Sequence, residues 1–440
     1  MASIGFLALS RCVLEETPFG NLNLILDPKN YLDLPQGFSY KIISKSGDMM
    51  DDGFFVPGRP DGMGAFEGST NDKVILVRNH ENSPEPVKNS PFGSENELIK
   101  NLDASVLYDA GQMNTPSLGG TTTLIYNEES QKLEKQFLSL VGTNRNCAGG
   151  VTPWKSWLSC EEDVTKKSGE VEQDHGYVFE VPAMQQGVTK PIPLTDMGRF
   201  NHEAVAVDPT TGIVYQTEDR NDGLIYRFIP KIKTDLKSGG RLQVLAVKDK
   251  RSFDSRNWDD TLMKLNEPLK VEWLDIDNVT SPNDDLRYRG FEAGAARFAR
   301  GEGMWFGEDE LYFACTNGGP KELGQIFRYR LSSAKGSEVA NTSNGTLELF
   351  AESEDKSVLH MCDNLTISPW GAIFLCEDNG RSNHIRIINQ NGQINTFATN
   401  KSSKSELAGI VFSPSGKTLF VNIQENGDTL AITGPWNTLI

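Results

Sequence analysis

Val151-Thr-Pro-Trp-Lys-Ser-Trp-Leu-Ser-Cys-Glu-Glu-Asp163 reads as an apolar strand, a Thr-Pro turn and a second strand that ends in acidic residues. The same phrase returns at Val207–Asp219 (VDPTTGIVYQTED), Ile367–Asp378 (ISPWGAIFLCED) and Val411–Glu425 (VFSPSGKTLFVNIQE). A degenerate copy runs from Gly303 to Asn317 (GMWFGEDELYFACTN). Each copy pairs two short runs around a turn whose Pro or Gly sets the backbone, which is the signature of a hairpin. Recurrence at this scale marks a radial array of small sheets, since one hairpin cannot bury its own apolar faces.

Working outward, further short strands of similar type occur at Lys73–Val77, Thr122–Tyr126, Gly176–Glu180, Gly223–Phe228 and Gln325–Tyr329. Long helical periodicity is scarce, and 41 Gly and 21 Pro suit a chain that turns often. The expected fold class is all-β: a β-propeller with loop insertions, a two-sheet sandwich being the poorer alternative. Residues 81–120 and 231–290 read as insertions, and 331–348 as a polar surface loop. None has the sustained composition of a linker, so 36–440 is expected to be a single domain. Residues 1–35 stand apart as an N-terminal segment. Within it, Ala2–Ser10 (ASIGFLALS) fits either the remnant of an export signal or an ordinary first strand.

Charge narrows the function classes. With 43 basic and 60 acidic residues the chain carries −17, which would repel nucleic-acid phosphates and anionic lipid. It is compatible with binding several multivalent cations. No apolar run reaches the ~18 residues of a membrane span. Six Cys without CxxC spacing make no disulfide framework. Four of them lie in or beside strand-like runs, whereas Cys147 sits in the polar, Gly-rich Arg145–Gly150.

Potential ligands cluster at the repeat boundaries. Asn146-Cys147, Asn201-His202-Glu203, Arg300-Gly301-Glu302, Cys362-Asp363-Asn364 and Glu406-Leu407 open successive copies. Glu161-Glu162, Glu218-Asp219, Thr316-Asn317 and Glu377-Asp378 close them. The separation from Cys147 to Glu162 equals that from Glu203 to Glu218, so these pairs are expected to be equivalent. Equivalent positions of a radial array converge on one end of its channel. Crowded carboxylates raise one another's pKa unless cations compensate, and their oxygens suit hard ions such as Ca²⁺. A thiolate among them suggests a softer transition metal at one site. Arg300, one Gly from Glu302, would be either a bidentate phosphoryl contact or the partner of a nearby carboxylate. His80 and His202 are expected to pack rather than ligate. GxSxG, HExxH, the phosphate-cradling GxxxxGK[ST] and an EF-hand loop are all missing.

At these residues the sequence resembles the PhoX-type alkaline phosphatases. The matching stretches include RNHE at 78–81, GGTTTLIY at 119–126, RNCAGGVTPWKSWLSCEED at 145–163 and GRFNHEAVAVDPTTGIVYQTED at 198–219. They continue with EGMWF at 302–306, CDNLTISPWGAIFLCED at 362–378 and ELAGIVFSPSGKTLFVNIQ at 406–424. The resemblance implies a six-bladed propeller and hydrolysis of phosphomonoesters at alkaline pH by a mixed centre of two iron and two or more calcium ions at its channel mouth. It implies Cys147 as thiolate ligand, Glu162 and Glu203 as carboxylate ligands, Glu302 as a ligand shared with calcium, and Arg300 as phosphate clamp. Glu81 and Asp363 join the metal ligands on matching motifs, while Glu218 and Glu377 match without an assignable role. Small phosphate esters would be the partners of a periplasmic or secreted monomer, with no nucleic acid and no membrane. The rivals are a calcium-only propeller hydrolase, phytase-like or lactonase-like, and a non-catalytic binding propeller stabilised by calcium.

Overall fold

The computed structural model describes residues 22–331 and 344–439. The possible export remnant at Ala2–Ser10 and most of the polar loop at 331–348 lie outside them. Within them the chain is all-β apart from short 3₁₀ turns and one α-helix, Leu286–Ala293. No described helix is long and apolar enough to cross a membrane.

Six short strands stand side by side in a closed ring, giving a propeller-like arrangement. In chain order they are Pro60–Glu67, Asn146–Val151, His202–Val207, Gly301–Phe306, Cys362–Ile367 and Leu407–Phe412, and the last packs against the first. Each begins an antiparallel meander running outward, as in Pro60–Glu67, Lys73–His80, Gly119–Asn127 and Lys132–Thr143. The last meander is completed by a strand from early in the chain, Ser39–Lys45, which pairs with Asp428–Thr433. Leu32–Pro35, from the segment set apart in the sequence, pairs with Ile394–Asn400.

The ladders do not form six separate four-stranded sheets, which corrects the simple expectation. Among the described residues there are five sheets, of six, three, nine, four and four strands. The nine-stranded sheet arises because Leu269–Asp275 makes a short ladder with Thr346–Glu352, joining two meanders at their outer edges. Residues 231–290 are accordingly no simple insertion. They supply Gly240–Val247, the fourth strand of the third meander, as well as the joining strand and part of the helix. The 81–120 segment is the insertion expected, built of four 3₁₀ turns.

Apolar side chains fill the wedges between neighbouring sheets. Phe374, Phe397, Phe412 and Trp436 make one such cluster, with ring centroids 5.1–6.2 Å apart in edge and stacked contacts. Burying each ring contributes about 1.5–3 kcal/mol. Rigid wedges of this kind hold the inner strands in register, and so fix whatever their first residues carry.

Candidate metal centre

One backbone pattern repeats in all six meanders. The residue after each second strand donates its N–H to the carbonyl of the residue before the first. The pairs are Glu81 to Arg59, Glu162 to Arg145, Asp219 to Asn201, Thr316 to Arg300, Asp378 to Met361 and Gln424 to Glu406, at 2.9–3.3 Å. A β-bulge follows in every inner strand, between Pro60 and Met63, Asn146 and Gly149, His202 and Val205, Gly301 and Met304, Cys362 and Leu365, and Ala408 and Val411. Bulges re-aim side chains at sheet rims and next to sites. Arg59, Arg145, Arg300 and Met361 take positive φ (45°, 46°, 53° and 59°), a strained conformation for a residue that carries a Cβ.

The bulged positions therefore gather Asp61, Cys147, Glu203, Glu302 and Asp363 at one end of the ring. The strand-end positions add Glu81, Glu162, Asp219 and Asp378. Below them lie Gly62, Ala148, Ala204, Gly303, Asn364 and Gly409, which let the strands approach closely. A Cβ on Gly62 would meet Ala148 Cα at 2.6 Å, and one on Gly303 would meet the Leu365 amide nitrogen at 2.6 Å. Only about 20 Å³ remains there, room for about one water.

Among the described residues there are three groups within each of which the ligand atoms lie within 4.8 Å of one another: Asp61, Glu81 and Cys147; Cys147, Glu162 and Glu203; and Glu203, Glu302 and Asp363. Cys147 and Glu203 are each shared between two groups, so the three form one chain of adjacent positions. Every residue expected as a metal ligand, Cys147, Glu162, Glu203, Glu302, Glu81 and Asp363, falls in this set. Asp61 was missed by sequence reasoning.

The electrostatics of the set fit a bound cation. Glu203 is wholly buried, and neither of its carboxylate oxygens has a hydrogen-bond partner. Burial costs an unpaired carboxylate heavily, so a group left this way calls for a positive partner. Burial, reinforced by neighbouring carboxylates, pushes Glu162, Glu203, Glu302 and Asp363 well above the usual carboxylate range. Asp61 is raised to about 7 by burial and by Glu81, and Glu406 is also raised, by burial and then by Asp378 and Asp363. Burial and the surrounding carboxylates likewise push the Cys147 thiol up. A thiol so placed becomes a ligand when a cation displaces its proton.

Arginines line the rim. Arg300 donates Nε and Nη2 to the Asp219 carboxylate at 2.8 and 2.9 Å, and Nη2 to Glu302 at 2.8 Å. The carboxylate pairing weighed from sequence is thus present. Arg145 contacts Glu81 at 2.6 Å and Glu162 at 2.7 Å, and Arg59 contacts Glu81 at 2.9 Å.

Glu218 and Glu377 lie elsewhere. Together with Glu161 they precede the strand-end positions by one residue, and alternation along a strand turns them away from the mouth. Glu161 accepts from His175 at 2.7 Å and from the amides of Asn144, Gly176 and Tyr177. Glu218 accepts from Tyr226 and the Leu224 amide, with Arg287 at 3.6 Å. Glu377 holds Arg386 at 2.8 Å and His384 at 2.7 Å. These carboxylates lock the sheets, so equal spacing misled: Asp219, not Glu218, is the counterpart of Glu162. His80 and His202 pack as expected, on the Gly58 and Gly198 carbonyls.

The His175 lock carries a pH signature. Burial disfavours its charge, but Glu161 and Asp109 outweigh burial and push its pKa up to about 10. The stabilisation is whole below the unfolded value of about 6.5 and is lost as pH rises through the folded one. Chemical denaturation of His175→Gln should show a deficit against the parent that shrinks steadily over that interval. A deficit independent of pH would mean that packing alone is lost.

Among solved structures, the chain is similar to a gluconolactonase from Xanthomonas campestris at 12% identity, covering 91% of this chain and 96% of that one with a TM-score of 0.43. It is also similar to virginiamycin B lyase from Staphylococcus aureus (13% identity, 90% and 99% covered, TM-score 0.42). A third is the β-propeller domain of Cps50 (Swd1) from Myceliophteria thermophila (9%, 90% and 100%, 0.43). No curated protein matches the chain. The family described as alkaline phosphatase PhoX matches residues 19–427, nearly the whole length. The chain belongs to the PhoX alkaline phosphatase family.

Proposed function

We propose that this protein hydrolyses small phosphomonoesters at alkaline pH, using cations held at the mouth of a six-bladed propeller. The count of six treats the nine-stranded sheet as two blades joined at their outer edges, one for each inner strand of the ring. The observation that carries the function is the chain of three ligand groups linked through Cys147 and Glu203. Cys147, with Asp61, Glu81, Glu162 and Glu203 around it, would hold the softer ions, read as iron. The all-oxygen group of Glu203, Glu302 and Asp363 suits calcium.

When bound, the cations supply charge neutralisation for the phosphoryl oxygens and a nucleophile derived from water. The chain's own residues do the rest. Asp219 and Glu302 hold the Arg300 side chain by Nε and Nη2, and no described residue bonds its Nη1. That N–H is free to donate to an equatorial phosphoryl oxygen, where negative charge concentrates during in-line displacement. The close-packed residues beneath leave room for about one water. No side-chain nucleophile is required. Periplasmic or secreted location and a monomeric state accompany this reading.

Cys147→Ser tests the assignment of metals. The substitution should remove iron from the purified protein and lower turnover of p-nitrophenyl phosphate by more than about 100-fold, since even outer partners of a metal site are worth 10–100-fold. Normal turnover with iron absent would favour a calcium-only hydrolase. A folded, cation-loaded protein without phosphatase activity at any pH would favour a binding propeller.

A further inference from the structure

The residue before each inner strand occupies one equivalent position at the mouth. Around the ring these residues are Arg59, Arg145, Asn201, Arg300, Met361 and Glu406, each identified by the same carbonyl-to-amide bond. Charge is therefore distributed unevenly. Three guanidiniums lie on the first, second and fourth blades, and a neutral thioether and a carboxylate on the fifth and sixth.

The first two arginines form a pair. They hold the Glu81 carboxylate from both sides, Arg59 on Oε2 at 2.9 Å and Arg145 on Oε1 at 2.6 Å. Gln424, Glu425 and Glu162 hold the other edges, with Arg59 Nε and Nη2 on Gln424 Oε1, Arg59 Nε 3.1 Å from the exposed Glu425 carboxylate, and Arg145 Nη2 on Glu162 Oε2. The side chains of Arg59 and Arg145 remain 27% and 32% exposed, close to the 31% of Arg300. Among the described residues no hydrogen bond involves Nη1 of any of the three. Two anchored guanidiniums, each with a donor edge left over, make a preorganised receptor for an anionic oxygen.

A single phosphoryl group at the cation centre is already served by Arg300, from the fourth blade. The pair stands on the first and second blades, Arg59 on the blade opposite that of Arg300 in the ring. We propose that Arg59 and Arg145 bind a second anionic group on the substrate, selecting phosphomonoesters whose leaving group itself carries a phosphate or carboxylate. This rests on the phosphatase reading above.

Calorimetric binding to the cation-loaded protein tests this without turnover. The probes are methylphosphonate, which carries one anionic group, and propane-1,3-bisphosphonate, which carries two. The unsubstituted protein should bind the bisphosphonate more tightly. In Arg59→Gln, and separately in Arg145→Gln, the ratio of the two dissociation constants should fall by about tenfold, equivalent to about 1.4 kcal/mol. Arg59→Lys, which keeps the charge but loses the fork, should fall between. Metal content and melting temperature, recorded for each variant, separate loss of the contact from loss of the centre. Because Arg145 also contacts Glu162, Arg59→Gln decides if the Arg145 variant loses cations. Methylphosphonate binding with an unchanged ratio overturns this inference alone. No binding of either probe by the unsubstituted protein overturns the phosphatase reading and this inference with it.

Discussion

Glu203→Gln should destabilise the cation-loaded protein and stabilise the cation-free one. Both oxygens of Glu203 are buried without a partner, and the side chain belongs to two of the three ligand groups. Burial and then Glu302 and Asp363 hold its pKa well above the usual carboxylate range. A raised acid binds more protons folded than unfolded, so its contribution to stability falls as pH rises above the unfolded value of about 4.3. Glutamine has no proton to lose. In chelated protein the substitution should gain about 1–3 kcal/mol, the cost of leaving a buried polar group unserved, and the gain should grow with pH. In loaded protein the sign reverses, and turnover should drop by more than about 100-fold. Thermal melts with and without chelator read both. A variant less stable than its parent in both states would make Glu203 an ordinary packing residue.

The second large effect is expected at Arg300. Replacement by Lys keeps a charge but loses the planar fork that sits on Asp219 and reaches Glu302. If Nη1 serves the transferring phosphoryl group, kcat should fall by about 10²–10³-fold, as for removal of one preorganised donor, with metal content intact. A larger rise in KM than loss in kcat would mean that Arg300 binds substrate and transition state alike. Unchanged kinetics would leave it as the partner of Asp219 and nothing more.

The repeat was readable because its turns carry Pro and Gly and its strands alternate, both of which are local properties. The ladder Leu269↔Leu347 that fuses two sheets was not, because it depends on how two outer edges meet in space. At the site, Cys147, Glu203, Glu302 and Asp363 were legible because each opens a repeat copy. Asp61 was not, since its hairpin is longer and lacks the S/D/T-P turn. A signal existed nonetheless. Arg59-Pro-Asp-Gly-Met, Arg145-Asn-Cys-Ala-Gly and Arg300-Gly-Glu-Gly-Met share an arginine, a ligand two residues on and a small residue after it. Asp219, named beside Glu218, was passed over as the counterpart of Glu162 for the opposite reason. Constant spacing pointed to Glu218, but hairpin length varies while the amide bond to the preceding blade residue does not. Parity along the strand, rather than distance in sequence, separates the mouth residues Glu162, Asp219 and Asp378 from the locks Glu161, Glu218 and Glu377.

The central claim is that the ligand chain at the mouth holds cations that make the protein a phosphatase. Elemental analysis of the purified protein beside p-nitrophenyl phosphate turnover, before chelation, after it and after cations are restored, tests it most directly. Iron and calcium should be present together, and turnover at alkaline pH should vanish with their removal and return with them. Turnover that survives complete removal of both metals would contradict the claim.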